Sequence, residues 1–301
     1  MSILIHSILT LGILGLIYGL GLAFASKKFH VEVDPKIEKI SGILPNVNCG
    51  ACGFPGCAAY AEAVATKGAK INLCAPGGDD VTKKIAEIMG LEATSTDRKV
   101  AIIHCQSGGK NNTKFKYEYQ GIETCKAAIL LSGGPNACNY GCVYQYDCVR
   151  ACKFDAMHID DNGMIIVDNE KCTGCGACAI ACPRNLIEIV SIKKRVHILC
   201  SSHDKGAIAR KVCGNSTACI ACGLCVKKCP VEAISMQNDL AVIDYDKCIV
   251  CGMCADVCPT SAIFDPLKEV RAQKKATAKA KAEAMKKKIE EQKSQEKKEE
   301  E

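Results

Sequence analysis

Three stretches of this chain repeat one spacing of cysteines, and that spacing limits the possible folds more than any other feature. C-T-G-C-G-A-C-A-I-A-C-P at residues 172–183, C-I-A-C-G-L-C-V-K-K-C-P at 219–230 and C-I-V-C-G-M-C-A-D-V-C-P at 248–259 each read C-x2-C-x2-C-x3-C-P. The 301 residues hold 24 cysteines, no tryptophan and few other aromatics. Small domains of that composition cannot rest on large apolar cores, so groups bound by thiols have to cross-link them.

The repeated spacing is the bacterial one for [4Fe–4S] ligation. A tight loop lets three thiolates reach one cube, and small residues such as Gly174 and Gly176 let backbone N–H groups approach the sulfurs. The fourth cysteine opens a helix and ligates the neighbouring cube, so motifs work in crossed pairs. The last two motifs then pair as Cys219, Cys222, Cys225 with Cys258, and Cys248, Cys251, Cys254 with Cys229. The motif at 172 needs an upstream partner, and CNYGCVYQYDCVRAC supplies Cys138, Cys142, Cys148 and Cys152 at the irregular spacing C-x3-C-x5-C-x3-C. Its end, C-K-F-D-A-M, follows C-P-V-E-A-I with Lys153 in place of the proline. This predicts Cys138, Cys142, Cys148 with Cys182, and Cys172, Cys175, Cys178 with Cys152.

Nearer the start, NCGACGFPGC at 48–57 brings Cys49, Cys52 and Cys57, with Cys74 at spacing C-x2-C-x4-C-x16-C; beside four cubes we expect a fifth here. Cys105, Cys125, Cys200 and Cys213 remain. They follow similar apolar runs, VAIIHC (100–105) and VHILC (196–200), in what reads as two copies of one unit. Two readings stay open for them: a sixth cube at a seam between the copies, or buried apolar thiols. Zinc is the alternative throughout, but it has no use for a third cysteine two residues on or for the Cys-Pro ending.

Disulfides depend on the compartment. Residues 3–25, ILIHSILTLGILGLIYGLGLAFA, are long and apolar enough to cross a hydrocarbon core of roughly 30 Å as one helix, and Lys27 and Lys28 follow at once. A cleaved signal peptide ending at Ala23-Phe24-Ala25 is the alternative, but no Lys or Arg precedes the run. The positive-inside rule then leaves the cysteines in the reducing cytoplasm, as parts of a single-pass protein of the cell (inner) membrane. The formal charge of +6 does not argue for nucleic acid, because every thiolate-bound cube adds negative charge. The histidines are scattered, and neither G-x-G-x-x-G nor a P-loop occurs, so no independent catalytic site and no flavin or nicotinamide site is expected.

The expected organisation is α+β: a transmembrane anchor at 1–28, a small helical [4Fe–4S] module at 29–93, a turn-rich linker, then two tandem bacterial-type two-cluster ferredoxin domains at 99–194 and 195–266. VTKKIAEIMGLE at 81–92 reads as a helix of the module. The Lys- and Glu-rich tail at 267–301 has no apolar stripe and reads as a solvated helix or as disorder.

An anchor, then NCGACGFPGC with a distant fourth cysteine, then ferredoxin motifs, closely resembles the B subunit of the Rnf complexes, ion-translocating ferredoxin:NAD oxidoreductases of bacterial and some archaeal membranes. The resemblance covers about residues 1–265, and the doubled ferredoxin region is similar to the longer anaerobe form. It implies a chain that takes electrons from soluble reduced ferredoxin and relays them to membrane partners, flavin and nicotinamide chemistry belonging to other subunits while the assembly exports Na+ or H+. Two alternatives remain: a polyferredoxin subunit of another membrane hydrogenase or dehydrogenase, and a zinc-binding scaffold.

Overall fold

The computed structural model describes residues 2–28, 34–93, 97–278, 281, 283 and 285. The first residues of the module at 29–33, residues 94–96 of the linker and most of the 267–301 tail lie outside them.

From Ile5 onward helix α1 (Ser2–Lys28) exposes its leucines and isoleucines, and Ile5–Lys28 is by length and composition able to cross a membrane. The helical module follows. In α2 (Pro35–Ile43) proline starts the first turn and the Asp34 carboxylate accepts from Lys36 N–H at 2.8 Å. The next helices, α3 (Cys57–Lys67) and α4 (Gly78–Met89), both stop at a left-handed glycine, Gly68 or Gly90. The expected helix at 81–92 therefore starts earlier and ends earlier: Asp79 and Asp80 favour its first turn, and Gly90 ends it. Ile40, Tyr60, Val64 and Ile85 fill the core, each burial contributing about 1.5–3 kcal/mol.

The remainder contains two copies of one β-unit. The first is built from β1 (Lys99–Ile103), α5 (Cys125–Leu130), α6 (Asp147–Arg150), β2 (Met157–Ile159), β3 (Ile165–Val167), α7 (Ala177–Ala181) and β4 (Ile187–Ser191). The second has β5 (His197–Ile198), α8 (Gly206–Val212), α9 (Leu224–Lys228), β6 (Ile234–Gln237), β7 (Leu240–Ile243), α10 (Met253–Val257) and β8 (Ile263–Phe264). In each copy the first strand pairs antiparallel with the last, and the two middle strands form a hairpin. Ile103 opposite Ile187 corresponds to Ile198 opposite Ile263. The strand-like pieces end in Asp168 and Asp244, whose carboxylates accept from the N–H groups two residues on at 2.8 Å and 3.0 Å and so turn the chain into the following cysteine loop. The hydrogen-bonded aspartates are held below the usual carboxylate range by those backbone donors.

A helix over 268–278 packs back on the second copy, so the first part of the tail is not solvated on every side. Its attachment is ionic rather than apolar, which is why no hydrophobic stripe marks it.

Candidate metal centre

The cysteine loops reverse direction through left-handed residues. Gly174, Ala221 and Val250 have φ of 66°, 55° and 58°, and Gly176, Gly223 and Gly252 follow at 79°, 69° and 76°. Such turns aim successive backbone N–H groups at one concavity. Ala101 N–H donates to Cys172 Sγ and Val250 N–H to Cys248 Sγ, both at 3.4 Å. After each last cysteine a second turn recurs: Asp155, Asn185, Glu232 and Ser261 have φ between 49° and 54°. It brings Leu186 N–H to Cys182 Sγ at 3.4 Å and Ala233 N–H to Cys229 Sγ at 3.2 Å. The Cys152 segment makes this turn although Lys153 replaces the proline.

Four cysteines line each of five cavities. Cys49, Cys52, Cys57 and Cys74 share one in the helical module. The Tyr60 hydroxyl, which donates to Lys70 O at 2.8 Å and accepts from Leu73 N–H at 3.2 Å, holds the loop that delivers Cys74. Asn48 Oδ1 accepts from Cys57 N–H at 2.8 Å and fixes the start of α3. In the second copy Cys258 lines the cavity of Cys219, Cys222 and Cys225, while Cys229 lines that of Cys248, Cys251 and Cys254. In the first copy Cys178 neighbours Cys172, Cys175 and Cys152.

The other two cavities differ from expectation. Cys105, Cys138, Cys200 and Cys213 line the cavity between the copies, and Cys125, Cys142, Cys148 and Cys182 line the one inside the first copy. Cys125 and Cys138 have exchanged the places expected for them. The cause is local. Cys125 heads α5, and its N–H donates at 2.8 Å to the carboxylate of Asp147, the residue before Cys148. Cys138 instead sits on a turn closed by Gly141, where an added Cβ would lie 3.6 Å from both Cys105 Sγ and Cys138 Sγ. The next residue, Cys142, donates its N–H to Cys105 Sγ at 3.4 Å. Arg184, unremarked in the sequence, clamps this turn by donating to the carbonyls of Gly141 and Gly133.

Burial pushes the thiols of Cys148 and Cys254 up to about 12 and those of Cys178, Cys200 and Cys225 up to about 11, and neighbouring thiols add to the shift. Four thiolates in one cavity stay ionised only around a cationic core. Four-thiol cavities approached by backbone N–H···S donors fit an iron–sulfur cube.

The sets succeed one another along the fold, each with a neighbour in the next. Lys153, beside Cys152, donates to Val47 O of the helical module at 3.2 Å. Cys178 neighbours Cys148, Cys142 donates to Cys105, Cys200 neighbours Cys219, and Cys225 neighbours Cys254. The seam is tied further by His104, whose Nδ1 lies 2.7 Å from Ile198 O, and by Thr217, whose hydroxyl donates to Gln106 O at 2.6 Å.

A small α+β chain whose cores are four-thiol cavities is an electron-transfer protein of the [4Fe–4S] class. Comparison with known families agrees: an Fe-S cluster family matches residues 44–76, and a 4Fe-4S dicluster domain matches 171–233 and 218–262. The chain is 41% identical over 246 residues to the B subunit of the ion-translocating oxidoreductase complex of Methanosarcina acetivorans, covering 82% of this chain and 92% of that one. It is 45% identical over 237 residues (79% and 70%) to the B subunit of the Na(+)-translocating ferredoxin:NAD(+) oxidoreductase complex of Acetobacterium woodii. The proton-translocating counterpart of Clostridium ljungdahlii is 40% identical over 246 residues (81% and 85%). The chain belongs to the family of Rnf B subunits, components of ion-translocating oxidoreductase complexes.

Proposed function

We propose that this chain is the membrane-anchored relay of an ion-translocating ferredoxin:NAD oxidoreductase, accepting electrons from soluble reduced ferredoxin and passing them to the membrane subunits. Six sets of four cysteines are assigned as [4Fe–4S] sites: the 49, 52, 57, 74 set; the 152, 172, 175, 178 set; the 125, 142, 148, 182 set; the 105, 138, 200, 213 seam set; the 219, 222, 225, 258 set; and the 229, 248, 251, 254 set. Bound there, the cubes supply one-electron carriers. The protein's part is to hold them in succession, to donate N–H groups to their sulfurs and to exclude water.

In this reading residues 1–28 anchor the chain, 29–93 carry the module nearest the anchor, 99–194 and 195–266 are two-cluster ferredoxin domains joined by the seam set, and 267–301 is the tail. Lys27 and Lys28 at the end of α1 support a cytoplasmic position for the cluster domains. The observation that carries the proposal is the succession of four-thiol sets from the module next to the anchor to the Cys248 loop. Its test is anaerobic isolation followed by rapid mixing with reduced ferredoxin. We expect near-equal iron and sulfide, no flavin, and bleaching of cluster absorbance as the ferredoxin is oxidised. Zinc in place of iron, or clusters that ferredoxin leaves oxidised, would overturn it.

A further inference from the structure

The two copies differ at one buried position under the cluster loops. Strand register makes Ile189 the counterpart of Asp265 and Val100 the counterpart of Arg195. A Cβ on Gly176 would face Ile189 at 3.9 Å, whereas one on the matching Gly252 would strike the Asp265 carboxylate and the Arg271 guanidinium. An apolar contact in the first copy is an ion cluster in the second.

Asp265 has no exposed side-chain surface, and Arg195 Nε stands 3.4 Å from it. Arg271, from the helix that opens the tail, donates to Asp265 through Nη1, and through Nη2 to Asp256 at 2.9 Å and Gly252 O at 3.0 Å. Lys275 donates to Asp256 at 2.7 Å. Lys194 reaches Cys248 O at 2.9 Å and Arg195 reaches Val250 O at 2.7 Å. Three cations thus hold alternate carbonyls, those of Cys248, Val250 and Gly252, along the loop that lines the last cavity. In the first copy Arg98 instead holds Asn169 O and Glu170 O, ahead of the loop. Four cations oppose two carboxylates here, so positive charge is left over in a partly desolvated place where salt screens it little.

We propose that Lys194, Arg195 and Arg271 form a cationic cradle that raises the reduction potential of the cube on Cys229, Cys248, Cys251 and Cys254 above that of its counterpart in the first copy, with the tail supplying the residue that completes the cradle. Reduction adds negative charge to the cube, and nearby cations favour the reduced state. Arg271 acts through the loop, as a positioning and charge-setting residue.

The inference rests on the cluster assignment proposed above. The test is an EPR-monitored redox titration of the full-length holo-chain under argon, with Cys251→Ser marking the one-electron component that belongs to the last cube. Arg271→Gln is expected to move that component, and no other, to more negative potential by about tenfold in its redox equilibrium, which is 59 mV for one electron. Asp256→Asn, which removes an opposing charge, is expected to move it the other way, with iron content unchanged. Opposite shifts separate an electrostatic role from mere loosening of the tail, which would act alike in both variants. If Arg271→Gln sheds the cube, the sign of the Asp256→Asn shift decides alone. A component that stays in place, or shifts in the same direction in both variants, overturns the cradle. If Cys251→Ser removes no component, the cluster assignment fails, and the cradle with it.

Discussion

In the second copy each cavity draws three of its four thiols from one tight loop, Cys219–Cys225 or Cys248–Cys254, and the fourth from the partner motif. The first copy brings Cys172, Cys175 and Cys178 together in the same way, with Cys152 beside Cys178, but gathers Cys125, Cys142, Cys148 and Cys182 from the head of α5, the 142–148 segment and the end of α7. What the irregular loop loses in compactness it gains in reach. By handing Cys125 to the internal cavity it frees Cys138 for the seam, where two thiols from each copy meet. The departure from standard spacing in the first copy is therefore the feature that joins the two copies.

The largest effect should come from separating these roles. Cys138→Ser and Cys200→Ser, one from each copy, should each lower iron by about four atoms per chain and open the seam to protease, because a metal cross-link absent from the unfolded chain is removed. Cys125→Ser should lower iron equally but leave the seam protected. Iron analysis with limited proteolysis checks both. If Cys125→Ser opens the seam while Cys138→Ser does not, the exchange of these two cysteines is wrong.

That exchange shows where the sequence stops being readable. The three regular motifs, the crossing of their last cysteines and the two-copy layout are visible because loop geometry and ligand spacing are local. Between Cys105 and Cys142 no motif recurs, and the matched placement of Cys125 and Cys213 in the two halves points to Cys125, not Cys138, as the seam ligand. Their places depend on a hydrogen bond from Cys125 to Asp147 and on the space above Gly141, both of which need the folded chain. The cradle was hidden for the same reason: Arg271 lies far along the sequence from Gly252, and a lysine-rich helix without an apolar stripe gives no hint that it docks.

A middle-sized effect comes from the left-handed residue before the second cysteine of each loop. A Cβ on Gly174 would come 2.6 Å from Lys99 O, so Gly174→Ala should destabilise the first copy by about 2–4 kcal/mol. Val250, its counterpart, already carries a branched side chain at φ 58°, and Val250→Gly should change stability by less than about 1 kcal/mol, since relief of strain offsets lost packing. Denaturant midpoints of the holo-chain measure both. Equal costs would mean that the two loops are not equivalent in the way described.

The smallest effect concerns His197, which stands where the first copy has Ile102. It is 4% exposed, its Nδ1 lies 2.7 Å from the Tyr245 hydroxyl, and burial lowers its pKa to about 4. The unfolded chain takes up the proton near pH 6.5 and the folded chain does not, so stability is complete above about pH 6.5 and falls as pH drops toward 4. Between pH 6.5 and 5.5 the second copy should lose about 1 kcal/mol more than a His197→Gln variant. Identical pH dependence in the two proteins would show that His197 is not buried in its neutral form.

Six sites in succession, with one of them between the copies, are the central claim. An anomalous-scattering map at the iron edge, from anaerobically grown crystals of the holo-chain, should show six separate iron peaks, one of them enclosed by Cys105, Cys138, Cys200 and Cys213. Five peaks, with no iron between the copies and those four sulfurs unbridged, would contradict it.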